Sequence, residues 1–509
     1  MRNTPASRII NPSLRRGVRL LSAMLVCVLG AAVEVVCSDP IADLLLDKAL
    51  LSRSIDAVVA NRMAQGHVPG VIVTLVHGDR IVFNKGYGLA DLDKRTPVDP
   101  KETLFRVASV SKVFTATAVM RLVQQGKMDL SEDIRHRLHA GGFALDETVP
   151  EPITWKDLLT HSGGIRERFI PNLTVTTDPS KVIPLRDYLP QALPLRLQKP
   201  GETLLYSDHG IALVGHLVEM VSRRNFADAM QEAVFRPLKL KDTRYAVPKT
   251  MRHRIAVAYE YRNGKHHAMH YAFSNIDPAL GLMTTGNDIA RFMIAHLDPR
   301  SAFLNERSRN SMHDLQFTDD ARLGYGATCG LFECRRVSPR YVFSLGYSLG
   351  FVSMLYLMPE QHVGLFISQN RAGELAFTVE DLYKMASVPK GGKVALATVG
   401  PKETSAADNS TVAGKYALTR TLSSGDGDRD FVLVESLPGT DEIQLVDWRK
   451  PDSPTRWTQM EPLLFRSTNG DELISFRRGP QNRITHLFGL FSPFGVFQRV
   501  EDPAVPPAK

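Results

Sequence analysis

A serine and a lysine three residues apart, Ser109 and Lys112, form the pair of side chains best suited to covalent chemistry in this sequence. A serine hydroxyl becomes an effective nucleophile when a neighbouring base takes its proton. A lysine amine can act as that base when burial or a nearby positive charge lowers its pKa. The S-x-x-K spacing therefore fits a serine hydrolase that forms an acyl intermediate.

The place of the pair in the chain supports this interpretation. The residues after Ser109 show helical apolar spacing, so Ser109 stands at the start of a predicted helix and Lys112 lies on the same face. Backbone N–H groups lack helical partners at such a start and point toward the serine. Chance alone would give about one or two S-x-x-K matches in a chain of this length. A helix-capping serine beside a surface lysine is therefore the structural alternative.

A second serine lies in a motif of a different hydrolase class. Residues 346–350 spell G-x-S-x-G, with Ser348 at the centre. A nucleophile of that class needs a strand before it and a helix after it. The residues after Gly350 are strand-like and reach Pro359 within nine positions. The sequence therefore favours a turn serine between two strands.

Two groups of residues could hold a metal ion, and neither has a convincing pattern. His266, His267 and His270 would need a helix, whereas the preceding glycine and lysine predict a solvated loop. Cys329 and Cys334 fit no zinc spacing and lie five apart in what is predicted to be one strand, on its opposite faces. Two buried thiols are expected there. No metal and no cofactor is predicted.

The composition of the 509 residues, with 43% hydrophobic and 23% charged residues, is typical of a globular protein. The net charge of +8 could suit a polyanion-binding protein. However, residues 1–32 hold five arginines and no acidic residue, and without them the charge is +3. The remaining basic doublets are scattered and lack interleaved aromatic residues, so nucleic-acid binding is not predicted.

The N-terminal segment has the pattern of an export signal. Its arginines precede an apolar stretch, Leu20–Cys37, and small residues at 30–32 suit cleavage near Ala32. Residues 1–37 are thus predicted to be a signal peptide that directs the protein to the periplasm or outside the cell. Because residues 20–36 approach the length that spans a bilayer, an uncleaved anchor with membrane association is an alternative. An Arg-rich mitochondrial presequence is a third possibility.

The segments that must position Ser109 and Lys112 do not follow a regular βαβ alternation. Residues 40–66 predict a helix, two β-rich runs joined at Gly78-Asp79 predict a hairpin, and residues 130–315 predict mainly helices and loops. The sequence therefore predicts an α+β domain over residues 40–395, with a helical cluster packed on an antiparallel sheet built from both ends of the domain. Strand-like runs return near residues 324–335, 341–347, 351–358 and 363–369.

A separate C-terminal unit is predicted after a polar segment. Residues 396–411 are small and polar and predict a linker. Between residues 412 and 505, short β-like segments alternate with turn signals such as Asn469-Gly470. This pattern predicts a small all-β domain, a barrel or a sandwich.

Several motifs, in order along the chain, resemble the superfamily of serine beta-lactamases and penicillin-binding proteins. The best-fitting branch contains class C beta-lactamases, D-aminopeptidases and beta-lactamase-like esterases, and some members carry a small C-terminal barrel. The resemblance covers about residues 50–375 and implies the beta-lactamase-like fold. It rests on residues 68–129, ITWKDLLTHSGGI at 153–165, PGETLLYSDHGIALVG at 200–215, PALGLMTTGNDIARFM at 278–293 and GYSLGFVSMLYLMPEQHVGLFISQN at 346–370.

The resemblance implies roles for particular residues. Ser109 matches the family nucleophile, Lys112 the helix lysine and Tyr206 the tyrosine of the Y-x-N element. In the family the tyrosine and the lysine share proton transfer, so the resemblance assigns the base to them jointly. It also implies an oxyanion hole formed by the backbone N–H groups of Ser109 and Tyr347. His161 is expected to shape the loop at the site.

Two positions depart from the family pattern. Asp208 replaces the asparagine of Y-x-N, and because a carboxylate only accepts hydrogen bonds, a contact to a substrate carbonyl is lost. Asp208 could instead keep Lys112 charged. Ser344 stands where the family has the basic residue of K-T-G or H-x-G, which would bind a substrate carboxylate. Gly346 is kept and lets substrate approach the strand.

The sequence therefore predicts an exported serine hydrolase that cleaves an ester or amide of a small molecule or peptide through an acyl-enzyme on Ser109. The missing basic residue favours carboxylesters or small D-amino-acid amides over beta-lactams and peptidoglycan stem peptides. The alternative is a catalytically degenerate family member that binds cell-envelope ligands without turnover.

Overall fold

A computed structural model describes residues 40–145, 148–387, 409–419, 431–447, 449–490 and 495–500. The predicted signal or anchor and most of the predicted linker lie outside these residues. Within the described part of the chain, no helix combines the length and the apolar character needed to cross a membrane.

The helix predicted over residues 40–66 is two helices. Asp47 separates them, and its side chain accepts a hydrogen bond from the N–H of Leu50, which caps the second helix. In chain order the α-helices of the described residues are α1 (Pro40–Leu46), α2 (Lys48–Gln65), α3 (Ser111–Gln124), α4 (Arg135–Ala140), α5 (Trp155–Leu159), α6 (Leu185–Ala192), α7 (Asp208–Ser222), α8 (Phe226–Met230), α9 (Asp277–Leu280), α10 (Gly286–Leu297), α11 (Glu306–His313) and α12 (Val379–Ser387).

The first domain is built on an eight-stranded antiparallel sheet that both ends of the domain supply. In chain order the strands of this domain are β1 (Gly70–His77), β2 (Arg80–Asp91), β3 (Thr96–Pro97), β4 (Phe105–Arg106), β5 (Val175–Thr176), β6 (Tyr259–Arg262), β7 (Lys265–Ala268), β8 (Phe273–Ser274), β9 (Met283–Thr284), β10 (Tyr325–Ala327), β11 (Phe332–Cys334), β12 (Tyr341–Ser348), β13 (Phe351–Met358) and β14 (Val363–Gln369). The sheet has the order β10-β11-β12-β13-β14-β1-β2-β3, so β14 from the end of the domain pairs with β1 from its beginning.

Both faces of this sheet are covered, and β1 shows how. Successive strand residues point to opposite faces. Ile72 and Val76 belong to the core that the sheet shares with the central helices, including α3, α7 and α10. Val71, Val73 and Leu75 belong to the core on the other face, with residues of α1, α2 and α12. Burial on both sides explains why the strand is nearly all apolar, with Thr74 as the one polar residue between Val71 and Val76.

The C-terminal unit is a closed antiparallel barrel with its own apolar core. Buried aromatic residues such as Tyr416, Trp457 and Phe465 fill that core. The α+β fold with an all-β C-terminal domain is therefore confirmed, and the all-β domain is a barrel. Its strands are β15 (Gly414–Leu418), β16 (Phe431–Ser436), β17 (Glu442–Asp447), β18 (Thr455–Glu461), β19 (Leu464–Ser467), β20 (Leu473–Arg478), β21 (Ile484–Phe488) and β22 (Val496–Val500).

The single strand predicted over residues 324–335 was wrong. The chain forms two antiparallel strands, β10 and β11, and reverses direction at Gly330, whose φ of 95° suits glycine. Cys329 therefore lies in the turn and Cys334 in β11, rather than on opposite faces of one strand. Both cysteines are free and buried, as predicted.

Phe114 lies on α3, the helix that follows Ser109, and stacks on Phe292 of α10 with ring centroids 3.8 Å apart. This pair joins α3 to the rest of the helical core. We predict that Phe292→Ala lowers the free energy of unfolding by about 3–5 kcal/mol, because it leaves a cavity at a fully buried site. Urea denaturation measures this loss. The control Phe169→Ala removes a ring that is 44% exposed and should cost no more than about 0.5 kcal/mol. Equal losses for the two variants would contradict the assignment of the Phe114–Phe292 stack to the core.

Candidate active site

Ser109 lies in a 3-10 turn, Ala108–Val110, directly before α3. The turn includes Ala108 at φ 48°, a left-handed conformation that non-glycine residues seldom adopt. The Ser111 hydroxyl donates to the Ala108 carbonyl at 2.5 Å and accepts the N–H of Leu282 at 3.0 Å. These bonds hold the strained turn, and so hold the backbone of the candidate nucleophile.

The Lys112 ammonium is enclosed by three oxygen atoms. Its Nζ lies 2.8 Å from Ser109 Oγ, 2.6 Å from Asp208 Oδ1 and 3.2 Å from the Ala279 carbonyl oxygen. An ammonium group has three N–H donors and accepts nothing. Only 3% of this side chain is exposed, so these oxygens, together with that of Tyr206, take the place of its water shell.

Two opposing effects set the charge of Lys112. Burial, the largest effect, acts to lower the pKa of the amine, because the charged form loses its hydration. The negative charge of Asp208, the Tyr206 oxygen and their hydrogen bonds to the ammonium act in the other direction. Together they outweigh burial and raise the pKa of Lys112 above its ordinary value. Lys112 is therefore positively charged at neutral pH.

Tyr206 lies between Lys112 and His161. Its ring centroid is 4.9 Å from Lys112 Nζ and 4.5 Å from the imidazole centroid of His161. His161 is fixed in turn, because its carbonyl accepts the N–H of Leu205 at 2.7 Å and its Nδ1 accepts the N–H of Ser207 at 3.2 Å. His161 thus holds the residues on both sides of Tyr206, in agreement with the expectation that it shapes this loop.

Asp208 is oriented by a glutamate that the sequence analysis missed. Asp208 is the first residue of α7, and its N–H donates to the carboxylate of Glu167, which is buried. The other Glu167 oxygen lies 3.2 Å from Nδ1 of His209, whose Nε2 lies 2.9 Å from the Tyr188 hydroxyl. His209 is fully buried.

The local sequence around Glu167 gives no sign that this residue orients Asp208. The residue stands between Arg166 and Arg168, a pattern that predicts a solvated charged segment. Its contacts with Asp208 and His209 lie about forty positions away in the chain. Only the packing of this loop against the start of α7 brings them together.

The second half of strand β12 runs beside Ser109. Strand β11 pairs with β12 only from Tyr341 to Phe343, so the following residues form a free edge that faces the 3-10 turn. A Cβ atom on Gly346 would lie 2.1 Å from the Val107 carbonyl oxygen and 3.2 Å from Ser109 N. Glycine is therefore required for this close approach.

Ser344 and Tyr347, the other predicted β12 residues of the site, differ in exposure. The Ser344 side chain is buried, and its hydroxyl donates to the Ser109 carbonyl at 3.4 Å. Tyr347 is 64% exposed, one residue beyond the close contact at Gly346. The structure places the backbone of β12 next to that of Ser109, and the oxyanion role of the Tyr347 N–H stays a prediction.

The competing sites have other structures. Ser348 ends β12, and a tight turn through Leu349 and Gly350 leads into β13 rather than into a helix, as predicted. The loop predicted around His266 and His267 was wrong, since both residues lie on β7 of the β6–β7 hairpin. Among the described residues, no group of three or more histidine, cysteine or acidic side chains could hold a metal ion.

The geometry suits acyl transfer. A serine hydroxyl accepts a hydrogen bond from a buried ammonium, a phenol lies against that ammonium, and the backbone of a strand passes alongside. These are the groups that a nucleophile, its proton acceptor and a developing oxyanion require.

Comparisons with known proteins agree with this geometry. The sequence profile of the beta-lactamase family matches residues 55–390. "Protein flp" of Staphylococcus aureus strain MRSA252 is 25% identical over 325 residues, which are 63% of this chain and 63% of that protein. The chain thus spans less than two thirds of the length of that relative.

Two solved structures show the same fold. The crystal structure of SurE has a TM-score of 0.61 at 21% identity and covers 88% of this chain and 100% of its own, so the similarity extends into the barrel. The D-amino acid amidase of Ochrobactrum anthropi SV3, complexed with D-phenylalanine, has a TM-score of 0.54 at 22% identity. It covers 66% of this chain and 98% of its own.

The buried pair of Lys112 and Asp208 should show strong energetic coupling. We predict that Asp208→Asn lowers the free energy of unfolding by about 3–5 kcal/mol at pH 7, because an uncompensated charge stays buried. Combining it with Lys112→Met should recover much of this loss, since no charge then remains. Urea denaturation of the two single variants and the double variant gives the coupling energy.

The exposed pair of Lys199 and Glu151, 2.9 Å apart, is the matched control. Lys199→Met and Glu151→Gln should couple by no more than about 1 kcal/mol, because water screens both charges. Purely additive losses at Lys112 and Asp208 would show that the two side chains do not form a buried pair.

Proposed function

The chain belongs to the beta-lactamase family, and we propose that it is a serine hydrolase that cleaves an ester or amide through an acyl-enzyme on Ser109. The observation that carries the proposal is the contact between the buried Lys112 ammonium and Ser109 Oγ at 2.8 Å, with Tyr206 against the same ammonium. Removing a lysine ammonium from water costs free energy that Asp208 and the neighbouring oxygens must offset, so its enclosure against a serine hydroxyl favours a functional role. A surface lysine beside a capping serine would need no such enclosure.

The charge of Lys112 decides whether Lys112 or Tyr206 can accept the serine proton. An ammonium has no lone pair, so Lys112 cannot accept the Ser109 proton while it is paired with Asp208. Tyr206 is then the proton acceptor. Tyr206 must then react as a phenolate, its own proton having passed to bulk water, with the Lys112 ammonium 4.9 Å from its ring centroid.

Acylation follows from these roles. The Ser109 proton passes to the phenolate oxygen of Tyr206 as Ser109 Oγ forms a bond to the substrate carbonyl carbon. The oxyanion so formed is bound by the N–H groups of Ser109 and Tyr347. When the carbonyl re-forms, the bond to the alcohol or amine breaks, and that group leaves with the proton from Tyr206.

Deacylation reverses the order of the proton transfers. Tyr206 takes a proton from a water molecule, whose oxygen attacks the acyl carbon. The bond to Ser109 Oγ breaks, and this oxygen regains its proton from Tyr206. The acid product is released and the site returns to its starting state.

The charge pattern of the site favours substrates without a carboxylate next to the scissile bond. Ser344 supplies no positive charge, and the carboxylate of Asp208 lies 2.6 Å from the Lys112 ammonium, where it would repel a substrate carboxylate. We therefore propose carboxylesters or small D-amino-acid amides as substrates; the structural similarity to a D-amino acid amidase supports the second class. The N-terminal pattern of residues 1–37 supports export to the periplasm or the medium.

A p-nitrophenyl ester tests the proposal directly. We expect a burst of p-nitrophenol and a covalent adduct on Ser109, located by peptide mapping after reaction with a fluorophosphonate probe. Ser109→Ala should abolish both, and Tyr206→Phe should slow acylation by about 10²–10⁴-fold, the usual contribution of a general base. Ser348→Ala, the serine of the competing motif, should leave both signals intact.

The alternative, a degenerate family member that binds envelope ligands without turnover, makes the opposite prediction. It is supported if the unmodified protein gives neither a burst nor a probe adduct. Labelling that persists in Ser109→Ala would instead show that another residue is the nucleophile.

Introducing a positive charge at position 344 should shift the preference toward substrates that carry a carboxylate. We predict that Ser344→Lys raises kcat/KM about tenfold or more for an ester whose acyl chain ends in a carboxylate, relative to its methyl-terminated counterpart. A charged hydrogen bond contributes about 1.5–3 kcal/mol, and 1.4 kcal/mol corresponds to a factor of ten. Ser344→Met has a similar length without the charge and is the control. An equal change in both variants would exclude a role for charge at this position.

A further inference from the structure

One arginine of the barrel reaches into the hydrolase domain. Arg477, on β20, donates to the Glu202 carbonyl at 2.7 Å and to the Asp319 carbonyl at 3.0 Å, and it lies 3.5 Å from Asp319 Oδ1. Its guanidinium lies 4.5 Å from the ring centroid of Phe488, on the next barrel strand. Three contacts to another domain and support from an aromatic ring hold this side chain in one place.

Asp319 connects Arg477 to the backbone that leads to the candidate active site. Its carboxylate accepts the N–H of Leu204 at 3.1 Å, two residues before Tyr206. The next N–H, that of Leu205, donates to the carbonyl of His161, whose ring centroid lies 4.5 Å from that of Tyr206. The backbone leading to Tyr206 is therefore bound on one side by Asp319 and on the other by His161.

The segment that carries Asp319 is itself fixed to the barrel. Leu323 packs in an apolar cluster with barrel residues, among them Met460 and Phe488. Arg322, paired with Asp320 at 2.7 Å, donates to the Pro462 carbonyl at 2.9 Å. Arg477 thus acts within a packed interface and is not an isolated surface contact.

The charge balance at Asp319 explains why an arginine is needed. The side chain is 9% exposed, and burial, only partly offset by the Leu204 N–H and by Arg477, raises the pKa of this carboxyl to about 6. Without Arg477, a buried carboxylate would lose its cationic partner and be more readily protonated. A neutral carboxyl is the weaker acceptor for the Leu204 N–H.

We infer that Arg477 of the barrel is a positioning residue for Tyr206, acting through Asp319 and the backbone of Leu204. The barrel is then part of the catalytic unit rather than an appendage. This inference rests on the proposed function only in giving Tyr206 its role in proton transfer. The physical link itself can be tested without any activity.

Hydrogen exchange of the full-length chain tests the link. In Arg477→Ala, we expect the amide of Leu204 and the peptide that spans residues 203–209 to exchange several-fold faster than in the unmodified protein. In Arg477→Lys, the Leu204 amide should exchange at an intermediate rate, because lysine keeps the positive charge but lacks the planar guanidinium that binds two acceptors at once. Arg478→Ala is the matched control, since within the described residues the side chain of this neighbour bonds to Asn482 of the barrel and to Thr411 just before its first strand. Unchanged exchange at Leu204 in a folded Arg477→Ala would overturn the inference.

Steady-state kinetics with the p-nitrophenyl ester test the consequence. We expect kcat of Arg477→Ala to fall about tenfold with KM within a factor of two, because the defect lies in the placement of a proton acceptor and not in binding. Asp319→Ala should also lower kcat with little change in KM, and both constants of Arg478→Ala should match those of the unmodified protein. Should Arg477→Ala not fold, Arg477→Lys and Asp319→Ala carry the test.

The outcomes separate the two proposals. Absence of activity in the unmodified protein would contradict the proposed function, while faster exchange at Leu204 would still support the link. Normal activity in the unmodified protein together with unchanged kcat in Arg477→Ala would leave the proposed function standing and overturn the positioning role.

Discussion

The site depends on one requirement: the positive charge of Lys112 must be compensated inside the protein. An ammonium removed from water needs acceptors for its three protons and a negative charge nearby. Here Ser109, Asp208 and the Ala279 carbonyl supply the acceptors, and Asp208 supplies the charge. The candidate nucleophile is thus placed by the same contacts that allow the lysine to be buried.

Each acceptor comes from a different part of the helical cluster. Ser109 precedes α3, Asp208 begins α7 and Ala279 lies on α9. The relative positions of these helices are set by the apolar core that they share. Glu167 adds a second buried carboxylate that binds the backbone of Asp208 rather than the lysine. Packing and charge compensation therefore determine the same geometry.

The presence of aspartate at position 208 has a chemical consequence. An asparagine would offer Lys112 a neutral acceptor, and burial would then act on the amine without the opposing charge of position 208. The carboxylate instead keeps the lysine protonated, and in the proposed mechanism Tyr206 is then the group that accepts the serine proton. The missing basic residue at Ser344 is a separate change, since it affects what the substrate can present and not how the serine is activated.

Much of this could be predicted from sequence because it is local or repeated along the chain. The helix after Ser109, the strands that return near the end of the domain and the β-rich C-terminal unit all follow from periodicity and turn residues. The pairing of Lys112 with Asp208 could be predicted because the family resemblance places both residues in one site. Glu167 and Arg477 could not be found in this way. Each looks like an ordinary surface charge in its own segment, and its partners come from distant segments or from another domain.

The most direct test of the account is the charge of Lys112 itself. In protein labelled with ¹³C at the lysine Cε position, the Lys112 signal can be identified by its absence in Lys112→Arg and followed by NMR as the pH is raised. The account predicts that this signal keeps the shift of a protonated lysine from pH 6 through pH 9, and that Asp208→Asn moves its titration to lower pH. A Lys112 that is already neutral at pH 7 in the unmodified protein would contradict the account and would make the lysine, not Tyr206, the base.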